Sequence, residues 1–337
     1  PFQSFFPTVD LIAAAPKDPD VLAIKMTLYR TDEQSGIIKA LMEAAKKRKQ
    51  VTVVVEIKAR FEEEKNIQWA RDLEAAGCHV IYGIAGLKIH SKMSLIVRKE
   101  EGRIRRYVHL ATGNYNEKTA RLYTDIGYFT ANDDFARDIA DVFNVITGYS
   151  LPSPWKRVIS SPHDLRKYFF DLIDKEIASQ AAHKNGLIMA KMNSLEDPQI
   201  IEKLYEASQA GVKIKLLVRG ICSLIPGVQG LSENITVHSI VGRFLEHSRI
   251  YIFHNNGAPR VFLSSADWMT RNFDRRIELL FEITKSEIKT HIQFILETYW
   301  KDSRKSRTLG EDAHYVLAHN EGGDFNAQEY FINHYTR

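Results

Sequence analysis

Hydrophobic and polar positions along the chain switch between two periods in a regular order. "VLAIKMTLY" (21–29) is a short apolar run of strand length. "GIIKALMEAAKKRK" (36–49) has apolar residues at helical spacing and a basic last turn that suits the helix dipole. "VTVVVEI" (51–57) is β-branched with few polar breaks, the pattern of a strand buried on both faces. "EEEKNIQWARDLEAAG" (62–77) predicts a helix with acids in its first turn and Gly77 just past its end. Strands are expected near 78–82, 89–98 and 105–111, then a helix over "DDFARDIADVFNVITG" (133–148). Three prolines and several serines in 149–164 mark a linker.

The second half repeats this order. A helix is expected over 164–180, a strand over 186–193, and a helix over 197–212 with Pro198 at its start and Gly211 at its end. Strands follow at 213–220, around "FLEHSRIYIF" (244–253), and at 261–268 and 277–283. "AIKMTLY" matches "MAKMNSL", "KRKQVTVVVEIKAR" matches "AGVKIKLLVRG", and "LKIHSKMSLIV" matches "FLEHSRIYIF". The offsets, about 157 to 166 residues, are too long for a solenoid and imply a duplicated α/β domain. Equivalent strands of two facing copies would meet at one cleft. The expected division is a first domain over 1–150, a linker over 151–163, a second domain over 164–302 and a tail over 303–337. The tail is polar around Gly322 and Gly323 and then aromatic ("EYFINHY"), which leaves open whether it docks on the core.

A length of 337 residues allows two domains, and 44% hydrophobic with 26% charged residues fits a soluble globular protein. No apolar run approaches the roughly 20 residues of a membrane helix. No secretory signal opens the chain, which begins in mid-stride without Met, so a fragment of a longer protein is expected. Cys78 and Cys222 lie in unrelated contexts, so neither a disulfide framework nor a zinc site is expected, which fits a reducing compartment. The net charge of +4 does not demand nucleic acid but suits a polyanion where the positive charge is concentrated.

The chemistry centres on "LKIHSKMSLIV" (87–97). Strand alternation puts Ile89, Met93, Leu95 and Val97 on one face and His90, Lys92 and Ser94 on the other. Alone, the segment reads as an edge strand with a solvated face. Its counterpart carries His247 and Arg249, and a solvated face has no reason to repeat a His-x-cation pair. Neutral imidazole can attack phosphorus while the adjacent cation stabilises the anionic oxygens. A second His across the cleft can protonate the leaving oxygen or activate the acceptor.

The His-x-Lys strand followed by "GNYN" (113–116) resembles the signature of the phospholipase D superfamily. The resemblance is closer to one branch, the type-1 polyphosphate kinases. It is carried by "IKMTLYRTD" (24–32), "EIKARFEEEKNIQWARDLEAAG" (56–77), "IHSKMSLIVR" (89–98), "HLATGNYNEKTARLYTDIGYFT" (109–130), "LLVRGICSLIPG" (216–227), "FLEHSRIYIF" and "SSADWMTRNFDRRIE" (264–278). The resemblance implies two tandem phospholipase D-like α/β domains, each a mixed sheet flanked by helices, with the active-site cleft between them. The superfamily has an Asp five residues after the Lys. Here Val97 and His254 stand in that place, which argues for the kinase branch over phosphodiester hydrolysis.

The same resemblance implies the site. His90 is similar to the histidine phosphorylated by ATP, and His247 to the second histidine, as acid or base. Tyr123 and Arg219 resemble nucleotide-contacting positions. Arg30 and Arg60 resemble positions at the magnesium–phosphate site. Arginine has no lone pair for a metal, so both read as phosphate clamps beside a Mg²⁺ held by phosphate oxygens and water, without a protein ligand cage. Lys92, Arg249, Asn114 and Asn116 complete the pocket, with Arg271, Arg275, Arg276 and Glu278 as further candidates. Read singly, Arg30 and Arg60 suit solvated turns, Tyr123 a packed aromatic, and the two asparagines turn formers. His79, His109, His163 and His238 lack a cation two residues on and read as structural, and Trp268 reads as core.

The implied function is an ATP:polyphosphate phosphotransferase working through phosphohistidine. ATP, ADP and inorganic polyphosphate are the partners and Mg²⁺ arrives with the nucleotide. The alternatives are a phospholipase D-like diesterase or nuclease, and a non-catalytic polyanion-binding module. The resemblance further implies preceding N-terminal domains, a homo-oligomer when full length, no nucleic-acid partner, no transmembrane segment and a cytoplasmic location, with peripheral membrane association left open.

Overall fold

The computed structural model describes residues 1–29, 31, 35–56, 63–148, 154–318 and 323–335. Arg30 and Arg60 lie outside the described residues. The described residues of the first half hold eight strands: β1 (Val21–Leu28), β2 (Gln50–Val55), β3 (His79–Tyr82), β4 (Lys88–Ile89), β5 (Lys92–Glu100), β6 (Arg103–Ala111), β7 (Tyr123–Thr124) and β8 (Gly127–Thr130). Six form a mixed sheet in the order β3-β2-β1-β5-β6-β8. Its helices are α1 (Phe6–Ala14), α2 (Gly36–Lys46), α3 (Glu63–Ala75), α4 (Glu117–Ala120) and α5 (Asp133–Gly148). The apolar pattern gave no warning of α1, whose Pro7 sits in the first turn, where a missing N–H costs nothing.

The second half holds β9 (Val158–Ser160), β10 (Leu187–Met192), β11 (Lys213–Val218), β12 (Ile235–Ile240), β13 (Leu245–Glu246), β14 (Arg249–Phe253), β15 (Arg260–Ser264), β16 (Arg276–Ile277), β17 (Leu279–Ile283), β18 (Ser306–Leu309) and β19 (Tyr315–Leu317). Its helices are α6 (Leu165–His183), α7 (Pro198–Gln209), α8 (Thr270–Asp274), α9 (Ser286–Trp300) and α10 (Ala327–Tyr335). The large sheet runs β19-β18-β12-β11-β10-β14-β15-β17-β9. Its inner six strands repeat the first sheet in order. Leu28 faces Val55 across β1 and β2 as Met192 faces Val218 across β10 and β11. The two tandem mixed sheets flanked by helices are the architecture expected from the repeat.

Two expectations change, and the structure answers what was left open for the tail. The segment 89–98 is not one strand at an edge. Lys88–Ile89 leaves the sheet, and β5 is central, paired with β1 and β6. Lys92 and Ser94 are therefore buried rather than solvated. The expected linker contains β9, which pairs with β17. The expected tail is built into the second half: β18 pairs with β12, and Phe331 of α10 is buried in the core.

Three apolar layers hold this together. Between the sheets, Met93, Leu95, Val108 and Leu110 pack with Ile250, Ile252, Val261 and Leu263, joined by α5 and α9. Outer layers set α1, α2 and α3 on the first sheet and α6 and α7 on the second. Each fully buried Leu, Ile, Val or Phe contributes about 1.5–3 kcal/mol. The shared central layer fixes the two halves relative to each other. Among the described residues no helix is long and apolar enough to cross a membrane.

Candidate active site

Two short strand pairs cross between the halves. β4, just before His90, runs parallel to β16 of the second half. β13, just before His247, runs parallel to β7 of the first. Just past β16 and β7 stands a carboxylate that serves the other half's histidine. Glu278 follows β16, and its carboxylate lies 2.9 Å from His90 Nδ1. Asp125 follows β7 and lies 2.9 Å from His247 Nδ1. Backbone contacts fix the approach: His90 N donates to Ile277 O at 3.0 Å, and His247 N donates to Thr124 Oγ1 at 3.2 Å.

Hydrogen bonds define which way these pairs point. Ser265 Oγ accepts from Leu279 N at 3.0 Å, so its proton goes to Glu278 Oε2, 2.5 Å away. Asn272 Oδ1 accepts from Asp267 N, which turns its amide N–H toward Glu278 Oε1 at 3.0 Å. With Glu278 ionised, both of its oxygens accept and His90 Nδ1 is the donor. That tautomer leaves the lone pair on Nε2. The first half repeats the device. Thr112 Oγ1 accepts from Ile126 N at 3.0 Å and donates to Asp125 Oδ1 at 2.7 Å.

Burial and neighbouring cations set the charges. Burial holds the His90 pKa well below its usual value, and Lys92, Arg276, Arg249 and His247 push it further down. His247 is also lowered, by burial and Arg249 against the pull of Asp125. Burial raises Glu278 to about 7, opposed by Lys92 and Arg276. Burial raises Asp125 too, but His247, Arg249 and Thr112 outweigh it and keep the acid below its usual range. Both imidazoles are neutral at pH 7.

The cations of the two motifs have unequal partners. Each bends back to the carbonyl of its own histidine: Lys92 Nζ to His90 O, and Arg249 Nη1 to His247 O at 2.5 Å. Arg249 is also clamped through two bonds of 3.1 Å to the buried Asp267. Lys92 makes no ion pair among the described residues and lies 5.4 Å from the Tyr29 ring centre. Burial pulls its pKa to about 7, with Glu278 opposing. Asn114 occupies the first-half place of Asp267, and its Oδ1 has no hydrogen-bond partner among the described residues.

Among the other expected residues, Arg276 approaches Glu278 at 3.7 Å. The Tyr123 ring lies 5.2 Å from that of His247. Arg219 donates to Asn193 Oδ1, and Asn193 N donates to Asp267 at 2.7 Å, so Arg219 joins the Arg249 network one shell out. Asn116 caps α4, accepting from Lys118 N and Thr119 N at 3.0 Å, as a turn former does. Arg271 and Arg275 are exposed on and after α8. His109 and His238 are buried outside the centre, and Trp268 is core. No cluster of three or more His, Cys, Asp or Glu side chains suited to a metal occurs among the described residues.

Sequence reasoning missed Asp125 and Asp267, and gave Glu278 no role with His90. A signal existed. "TGNYNEKTARLYTD" (112–125) and "SADWMTRNFDRRIE" (265–278) align without a gap, from hydroxyl to acid. The absent Asp at Val97 and His254 therefore does not separate kinase from diesterase chemistry. Both histidines have a carboxylate, supplied across the cleft.

Fold and centre together define a tandem α/β protein whose two carboxylate-held histidines sit where its halves meet. Models of polyphosphate kinase C-terminal domain 1 and C-terminal domain 2 match residues 1–152 and 158–328. The chain belongs to the polyphosphate kinase family. It is 54% identical over 332 residues to a polyphosphate kinase of Staphylococcus haemolyticus, covering 98% of this chain and 46% of the relative. It is 53% identical over 324 residues to one of Bacillus anthracis, covering 96% and 46%. The chain thus spans about half the length of the curated relatives it matches. The polyphosphate kinase structure from Porphyromonas gingivalis superposes with a TM-score of 0.93 at 37% identity, over all of this chain and 52% of that one. A phosphatidylserine synthase from Haemophilus influenzae gives 0.62 at 10% identity, over 98% of this chain and 89% of that one, a likeness of fold alone.

Proposed function

We propose that the chain carries the catalytic centre of an ATP:polyphosphate phosphotransferase, with His90 as the nucleophile. One observation carries the choice of His90 over His247. Lys92 is a buried cation without an ion-pair partner among the described residues, whereas Arg249 is already neutralised by Asp267. A phosphoryl group arriving at His90 finds free positive charge, and Arg276 adds to it.

In the first step His90 Nε2 attacks the terminal phosphorus of ATP. An N–P bond forms, the P–O bond to the leaving group breaks, and ADP departs with the electron pair. Glu278 accepts from Nδ1–H and stabilises the ring as it gains positive character. In the second step a terminal oxygen of the polyphosphate chain attacks the same phosphorus, and the N–P electrons return to His90. One phosphoanhydride replaces another, so the reaction runs both ways. His247, held by Asp125, steers protons on the oxygens leaving and arriving. Magnesium enters as part of the nucleotide substrate, held by phosphate oxygens and water, with Arg30 and Arg60 as phosphate clamps beside it. The same exchange of phosphates suits a cytoplasmic setting, where ATP is abundant.

The test is product analysis. With MgATP the protein should release ADP and build an acid-precipitable chain of phosphates, and with ADP and polyphosphate it should form ATP. Hydrolysis of a phosphodiester such as bis-p-nitrophenyl phosphate, without either exchange, would select the diesterase reading.

A further inference from the structure

The segment that presents His247 is pinned at Phe244, Glu246, His247 and Ser248 by side chains outside the reacting pair. Lys191 of β10 reaches Glu246 Oε2 at 2.9 Å and Ser248 Oγ at 2.8 Å, one on each side of His247. Thr124 Oγ1 donates to Glu246 Oε2 at 2.8 Å and accepts from His247 N. The remaining contacts come from α10. Gln328 Oε1 accepts from Phe244 N at 2.9 Å, while its Nε2 donates to Phe244 O at 2.9 Å and to Glu246 Oε1 at 2.6 Å. Gln328 is buried, and Gly242 is shaped around it: a Cβ at residue 242 would lie 2.6 Å from Gln328 Oε1.

The first half works differently. Thr27 donates to Ser91 O at 2.9 Å and accepts from Met93 N at 3.1 Å, and Glu56 accepts from Ile89 N at 2.8 Å. Those contacts to the His90 segment come from its own half. The His247 segment is held in addition by α10, which follows the six repeated strands about 80 positions along the chain. That helix is seated by Ala327 N donating to Asp302 Oδ2 at 2.8 Å and by Phe331 in the central layer.

We propose that Gln328 is a positioning residue for His247, so that the docking of α10 sets the rate of phosphoryl transfer. The proposal rests on the reading of His247 given above. Gln328 satisfies both backbone groups of Phe244 and one oxygen of Glu246. Without it both backbone groups of the half-buried Phe244 lose a partner and the buried Glu246 loses one of its hydrogen bonds, and the segment relaxes where a misplacement of about 1 Å costs about 100-fold in rate.

The experiment compares Gln328→Met and Gly242→Ala in the full-length protein, each alone and combined with His247→Ala. Gln328→Met keeps the length and removes the hydrogen bonds, and Gly242→Ala displaces the glutamine without replacing it. Circular dichroism confirms folding. Each variant should lower kcat about 10- to 100-fold, with KM for ATP changed by less than about threefold. In the His247→Ala background neither should lower kcat further by more than about twofold, because both act through that ring. Wild-type kcat in the folded variants, or a full further drop in the His247→Ala background, overturns the proposal alone. Full activity of His247→Ala by itself overturns the reading of His247 and the proposal with it.

Discussion

His90 Nδ1 lies 2.9 Å from the carboxylate of Glu278, a residue 188 positions away in the opposite half. His247 and Asp125 return the arrangement in the other direction. Each histidine takes its carboxylate from the opposite half, so the paired centre forms where β4 meets β16 and β7 meets β13.

Glu278→Gln should slow formation of the phosphorylated intermediate by about 100-fold or more, since the neutral amide no longer stabilises the charge that builds on the ring. Rapid-quench labelling from ATP measures this step directly. Asp125→Asn should leave the attack geometry of His90 in place and slow overall turnover instead.

Lys92 gives the centre a pH dependence. Its pKa of about 7 means that it loses its proton as pH rises through neutrality while the cleft is empty. A polyanion binds the protonated form better, so affinity for polyphosphate should fall between pH 6.5 and 8.5. Glu278, pushed up to about 7, gains its negative charge over the same range, so Lys92→Met should weaken binding at pH 6.5 by about 10-fold or more and reduce this pH dependence to the part carried by Glu278. Fluorescence titration with a labelled polyphosphate at several pH values reads both effects.

Arg249 and Asp267 form a buried pair with a structural consequence. Asp267→Ala leaves a buried guanidinium with no carboxylate at bonding distance and should cost about 3–5 kcal/mol of stability. Urea unfolding at pH 7 is the measurement.

The buried His109 contributes acid sensitivity. Burial lowers its pKa to about 3 against an ordinary 6.5, so the folded ring stays neutral. As pH falls below 6.5 the unfolded chain binds a proton that the folded chain does not. Stability should therefore fall from about pH 6.5 toward pH 3, by a few kcal/mol for this group. His109→Gln should flatten that slope in urea unfolding at pH 7 and pH 4.5.

The two sheets were legible because their strands have strong periodic patterns and occur twice. The helix over 133–148 and the strand cores at 51–55 and 213–218 match their apolar runs. The His-x-cation pairs were legible because duplication marked them. The burial of Lys92 was not, because alternation tells faces apart but does not say whether both are covered. The β4 and β13 crossings are two residues long, too short for any period, yet they decide which carboxylate meets which histidine. Asn116 shows the opposite case: its place in "GNYN" suggested a ligand contact, while its side chain caps α4.

The central claim is that His90 takes the phosphoryl group. The most direct measurement is incubation with γ-labelled ATP and Mg²⁺, followed by alkaline digestion-compatible mass spectrometry of wild type, His90→Ala and His247→Ala. The account predicts acid-labile, base-stable label on His90 in wild type, none in His90→Ala, and slower label on His90 in His247→Ala. Label on His247, or undiminished label in His90→Ala, would contradict it.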